Sequence, residues 1–231
     1  MGTYRKIEQY KESTFEMFDK KISYRIYGND QPKVLFLHGA GKATQDLLVN
    51  LANELSQLRI SSVTFDFPGH GKSTGNILDS SLEERYLIAN EVVKRTGANE
   101  SVIAFSMSGQ IAINLSNIHN IKNLVLCAPA IYCDSVFTIP FGNQNFSDSI
   151  RTGQSYLDSP TTQNNLENFA GNVYLVTSDN DAVIPDGVLD IIRRKSKNFE
   201  EIIILNSDHR LGHRFSQNPA EAKSLINRIF S

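Results

Sequence analysis

The chain has 231 residues, 40% apolar and 21% charged, with 25 carboxylates against 23 lysines and arginines for a net charge of −2. That supplies a core of normal size for one large domain or two small ones. The charge balance argues against nucleic acid or an anionic membrane as partner, and no run of 18 apolar residues exists to cross a bilayer.

The start, MGTYRKIEQYKESTFEMF, is polar and lacks the apolar stretch of a secretory signal. FEMF and ISYRIYG, around Asp19-Lys20-Lys21, predict a β-hairpin. VLFLHG (34–39) is a continuous apolar run, as in a strand buried on both faces. Leu47, Leu48, Leu51, Leu55 and Leu58 form one helical stripe over 44–58. SVTFDFPG (62–69) is a second buried strand, and Leu82, Tyr86, Ala89 and Val93 mark a helix over 81–95. SVIAF (101–105) is a strand followed by a helix over 108–117, and IKNLVLCAPA (121–130) is another strand. VYLVTS (173–178) and EIIILN (201–206) flank a helix near 187–197, and a last helix covers 219–230 with Pro219 in its first turn. The two cysteines, Cys127 and Cys133, fit neither a disulfide framework nor a zinc site and read as reduced thiols near a strand end. With the polar start they point to a cytoplasmic protein.

Short apolar strands alternating with helices predict an α/β fold: a mostly parallel sheet covered on both faces, with ligands beyond the carboxyl ends of the strands. Residues 131–169 break the alternation, being rich in Asn, Gln, Ser and Thr but also holding Phe137, Phe141, Phe146 and Tyr156. A segment of that length without clear periodicity suggests a lid, and its aromatics could wall a pocket.

The strand ends carry the chemistry. Ser106 follows a buried strand and opens a helix, among the small residues Ala104, Ser108 and Gly109. A helix N-cap would account for Ser106 or Ser108 without any catalysis. However, Asp179-Asn180-Asp181 follows the strand ending at Ser178, and Ser207-Asp208-His209 follows the one ending at Asn206. A carboxylate can fix an imidazole tautomer, and the imidazole can take the serine proton. His38-Gly39-Ala40-Gly41 follows the strand at 34–37, where small residues let backbone amides approach an oxygen.

Together these stretches resemble the α/β-hydrolases over nearly all of the chain outside 131–169. Ala104-Phe105-Ser106-Met107-Ser108 is similar to the G-x-S-x-G elbow, with alanine and serine for its glycines. His38-Gly39-Ala40-Gly41 resembles the oxyanion loop, Asp66-Phe67-Pro68-Gly69-His70-Gly71-Lys72-Ser73 the D-x-x-G-x-G-x-S stretch, and Asp181-Ala182-Val183-Ile184-Pro185 the acid loop. The resemblance implies an N-terminal β-hairpin, a flanked central sheet across 1–231 and a short lid at 131–169. It implies Ser106 as nucleophile, His209 (with His213 as rival) as base, and Asp181 as acid in preference to Asp179, Asp186 or Asp208. The amides of Ala40 and Met107 would hold the oxyanion. His38 would buttress its loop, Asp66 would organise the Pro-Gly turn, and His70 and His119 would be structural or solvent-facing.

No metal and no cofactor is called for. GHGKS lacks phosphate-loop spacing, since Gly69 lies too close to Lys72. The implied function is a serine hydrolase cleaving a carboxylic ester or thioester of a small to medium acyl group, its partner a small-molecule acyl substrate. The alternatives are acyl transfer by the same triad, a ligand-binding protein of this fold with little turnover, and a structural module.

Overall fold

The computed structural model describes residues 10–151 and 154–231. The first nine residues of the polar start and residues 152–153 of the 131–169 segment lie outside them. Strands β1 (Tyr10–Met17) and β2 (Lys20–Tyr27) pair antiparallel as the sequence predicts, but the turn is Phe18-Asp19, with Met17 opposite Lys20. Both turn residues have positive φ, 52° and 56°, which matches the twist of a two-residue hairpin loop.

Next come β3 (Val34–Leu37), β4 (Ser62–Phe65), β5 (Ser101–Phe105), β6 (Asn123–Cys127), β7 (Asn172–Ser178) and β8 (Asn198–Ile204). The sheet order is β1-β2-β4-β3-β5-β6-β7-β8, parallel from β4 onward. Residues of β3, β4 and β5 are all buried, as expected for strands covered on both faces.

The helices are α1 (Val49–Gln57), α2 (Leu82–Thr96), α3 (Ser108–Leu115), α4 (Gln144–Arg151), α5 (Pro160–Asn168), α6 (Asp186–Lys195), α7 (Leu211–Gln217) and α8 (Pro219–Phe230). The path β3–α1–β4 steps toward the hairpin, whereas β4–α2–β5 crosses back past β3. Right-handed crossovers therefore put α1 on one face and α2 on the other. Later crossovers keep the second direction, so α3, α5 and α6 line up beside α2, while α7 and α8 pack with α1. Buried side chains such as Leu51, Leu55, Leu225 and Ile226 anchor that smaller layer at about 1.5–3 kcal/mol each.

Neighbouring strands β3 and β5 thus send their chains to opposite faces, which opens a crevice at their carboxyl ends. His38 and Ser106 are the first residues past those ends.

Several boundaries differ from the sequence reading. Residues 45–48 form a 3₁₀ turn before α1, because Gln45 turns inward to bind Asp66. Strand β4 stops at Phe65, where Asp66 takes up that network, and β6 stops at Cys127, because Ala128 adopts φ 45°. Strand β8 starts at Asn198, earlier than its apolar run, since an edge strand can hold Glu200 and Glu201 against Arg228 and Arg193. The 131–169 segment contains α4, α5 and two 3₁₀ turns, and α5 packs against α3 and α6 as the crossover helix before β7.

Candidate active site

Ser106 sits between β5 and α3 with φ 51°, a left-handed conformation that costs a non-glycine residue about 1–2 kcal/mol. Its backbone is tied on both sides: its amide donates to Cys127 O at 2.9 Å, and its carbonyl accepts from Gly109 N at 2.8 Å and Ala130 N at 2.9 Å. Gly109 is needed for this approach, because a Cβ there would lie 2.6 Å from Pro129 Cβ. Neither Ser106 nor Ser108 caps the helix; the cap position is Met107, without a side-chain bond.

Ser106 Oγ donates to His209 Nε2 at 2.9 Å, and His209 Nδ1–H donates to Asp181 Oδ2 at 2.9 Å. The other oxygen of Asp181 accepts from the amides of Val183 (2.8 Å) and Ile184 (3.1 Å), so the carboxylate is held by its own loop. His209 and Asp181 expose only 19% and 10% of their side chains, which limits competition from water.

Across from Ser106, the loop after β3 is held by His38. Its Nδ1–H donates to Gly39 O at 2.7 Å, and its Nε2 accepts from Phe67 N at 3.1 Å. Burial, reinforced by the charges of His70 and Arg85, keeps this imidazole well below its ordinary pKa, so it is neutral and the tautomer is set. Gly39 lies against the elbow; a Cβ there would be 3.4 Å from Ser106 Cβ. The amides of Ala40 and Met107 donate to no other group among the described residues.

The rival residues sit elsewhere. His213 lies exposed on α7 at the rim. Asp179 accepts from Asn206 N (2.9 Å) and Ser207 N (3.1 Å), clamping the histidine loop to the acid loop; those bonds hold its carboxyl below the usual range. Asp208 turns outward to Arg210. Asp186 does not cap α6: it lies in the first turn, where its charge suits the helix dipole, and Pro185 occupies the cap position. Asp66 is buried and accepts from Gln45 N, Gln45 Nε2 and Lys72 N, organising the turn after β4. Lys72 itself reaches Glu12. His70 is buried and its Nδ1–H donates to Pro68 O at 3.0 Å, and His119 meets Asn90. Among the described residues no cluster of three or more His, Cys, Asp or Glu side chains could hold a metal ion. Cys127 and Cys133 are free and buried.

Two hollows meet at Ser106. One, of about 430 Å³, is lined by the loop after β3, His209 and His213. The other, of about 190 Å³, lies between Ile131, Ile150 and Tyr156 on one side and Ile184 and Val188 on the other. Tyr132 lines both. Phe137, Phe141 and Phe146 line neither, contrary to the sequence expectation. They stack on Tyr86, on each other and on Tyr132, because short helical turns laid over a sheet need a core of their own.

The model of the family described as "Serine aminopeptidase, S33" matches residues 28–148, more than half of the chain. The chain belongs to this family of α/β-hydrolases. Solved structures of the same fold superpose on nearly the whole chain. The thioesterase domain from the curacin biosynthetic pathway has a TM-score of 0.73 at 15% identity, covering 95% of this chain and 100% of that one. An esterase from Exiguobacterium antarcticum has 0.70 at 17%, covering 95% and 99%. Est1E from Butyrivibrio proteoclasticus, solved with ferulic acid, has 0.69 at 16%, covering 94% and 98%. At such identities the likeness shows the fold alone. No curated protein matches the chain.

In this α/β-hydrolase, three features near the site escaped the sequence reading: two residues it did not name, and the bracing role of Asp179, which it weighed only as an acid. Gln110, fully buried on α3, accepts from Tyr132 N (3.0 Å) and donates to Tyr132 O (3.1 Å), fixing the wall between the hollows. Arg85 is fully buried between the rings of Phe67 and Phe141, with Nη1 3.6 Å from Met107 Sδ; its Nε and Nη2 find no partner among the described residues. Burial pushes its pKa down to about 10, so it remains charged at neutral pH. Its place three residues after Leu82, on the apolar stripe of α2, was the available signal. Asp179 is the third, as a brace.

Proposed function

We propose that this α/β-hydrolase is a serine esterase or thioesterase that cleaves small to medium acyl substrates through an acyl-enzyme. The unbroken hydrogen-bond path Ser106–His209–Asp181, on a left-handed elbow, is the observation that carries the reading. Serine is a weak nucleophile until a base takes its proton. Here His209 Nε2 takes it as Oγ attacks the acyl carbon, and Asp181 stabilises the imidazolium. The oxygen left negative is held by the amides of Ala40 and Met107, donors of a kind that contribute about 3–4 kcal/mol to a transition state. Collapse breaks the bond to the leaving group, which takes the proton from His209. Water then attacks the acyl-enzyme by the same route, yielding the carboxylic acid and free Ser106.

The ligand-binding alternative drew on the altered elbow glycines. Both replacements fit: Ala104 is buried within β5, and Ser108 Oγ donates to His38 O at 2.5 Å. Segment 131–169 we read as a short cap on one domain, since its Ile150 and Tyr156 close one side of the smaller hollow. The two buried free thiols favour a cytoplasmic setting, and no described helix is long and apolar enough to cross a membrane.

A panel of acyl esters and thioesters of graded length, with Ser106→Ala as the blank, tests the function. Hydrolysis that vanishes in the blank is expected; turnover surviving in Ser106→Ala would refute it.

A further inference from the structure

The two hollows differ in chemistry, and the reaction geometry decides which part of the substrate enters each. His209 must protonate the leaving group, so that group lies in the hollow His209 lines, the larger one. The oxyanion points to the Ala40 amide in the same hollow. The third substituent of the tetrahedral carbon, the acyl chain, is left with the hollow that Ser106 lines and His209 does not.

That acyl hollow is lined mostly by apolar side chains, with Ser106, Ser155, Tyr132 and Tyr156 as its polar members and no charged group. Its 190 Å³ is slightly more than a cavity that takes benzene, which suits an acyl chain of about six to eight carbons.

The leaving-group hollow is lined by Lys42 and Arg210 and by no carboxylate. Carboxylates outnumber lysines and arginines 25 to 23 in the whole chain, so composition alone does not produce an acid-free wall. Lys42 forms no ion pair among the described residues. Arg210 is already paired with Asp208 at 2.6 Å, so Lys42 supplies the unpaired charge of this wall, and Asp181 is engaged by the His209 imidazole. A cleft with one sign of charge concentrates ligands of the other sign.

Resting on the ester or thioester reading above, we propose that the natural substrate joins a short apolar acyl group to a leaving group that carries negative charge, which Lys42 receives at the cleft wall.

Two esters that differ in one charge test this: the hexanoyl ester of 4-hydroxybenzoate and that of its methyl ester. Wild-type protein should show a kcat/KM ratio, anionic over neutral, that falls as NaCl is added, because salt screens an exposed pair. In Lys42→Glu the ratio should drop about fivefold, mainly through KM. Across unbranched acyl chains, kcat/KM should peak at about six to eight carbons. If Ser106-dependent hydrolysis occurs but the ratio ignores both salt and Lys42→Glu, the leaving-group inference is wrong while the hydrolase reading stands. An optimum at much longer chains overturns the acyl assignment. If neither these nor any other ester or thioester is cleaved, the hydrolase reading fails and takes the inference with it.

Discussion

Ser108 Oγ donates to the carbonyl oxygen of His38 at 2.5 Å, which joins the nucleophile elbow to the loop that carries Ala40. The two amides proposed above to hold the oxyanion, those of Ala40 and Met107, follow different strand ends, and this bond ties those two ends together. Where related elbows have glycine, this chain uses a hydroxyl. Ser108→Ala should lower kcat about tenfold with little change in KM, since the loss falls on the transition state. Stability should drop by only about 1 kcal/mol, the net value of one buried hydrogen bond. Wild-type kcat in Ser108→Ala would show that the bond is incidental.

Asp181 and Asp179 lie two residues apart and do different work. Asp181→Asn removes the acceptor that sets the His209 tautomer and should cut kcat about a thousandfold or more. Asp179→Asn weakens the clamp on Asn206 and Ser207, so it should lower the melting temperature and reduce kcat only mildly. Steady-state kinetics with thermal melts on both variants separates the roles; equal effects would place the acid elsewhere.

His38 makes stability depend on pH. Burial keeps its folded-state pKa well below 6.5, whereas the unfolded chain takes up a proton near that value. The unfolded state therefore binds more protons below pH ~6.5, and stability falls as the solution is acidified. Above that pH the contribution is constant. His70 and His119 shift in the same direction, both chiefly through burial. The slope from His38 approaches about 1.4 kcal/mol per pH unit. Urea unfolding across the range should show a shallower acid limb in His38→Gln; an unchanged slope would contradict this account.

Arg85 is charged, buried and only weakly partnered, so its guanidinium costs desolvation that two aromatic faces only partly offset. Arg85→Met, of similar volume, should change stability by less than about 1 kcal/mol or raise it. Arg85→Ala should lose about 2–4 kcal/mol, because it leaves a cavity. Equal, large losses in both variants would mean that the charge itself stabilises the fold.

The parts of the site legible in the sequence were those with strong local signals. The run Ser101–Phe105 breaking into small residues marked the elbow, and the acid and histidine followed later apolar runs in the order their strands lie in the sheet. Polar residues that turn inward were harder to read. Gln45 broke the start of a leucine stripe because Asp66, distant in sequence, needed its amides. Helix α5 was hidden because it buries only Thr162 and Leu166 among its nine residues, too little for an apolar period. The cap aromatics were visible, but whether they faced a pocket or one another depended on contacts with Tyr86 and Tyr132 that no local pattern encodes.

The central claim, that His209 activates Ser106 for covalent catalysis, is tested most directly by trapping. An alkyl fluorophosphonate should add once per chain, and peptide mapping should find the adduct on Ser106. His209→Ala should slow that labelling by orders of magnitude while the protein stays folded. Labelling on Ser108 or another serine, or labelling of Ser106 at full rate without His209, would contradict the account.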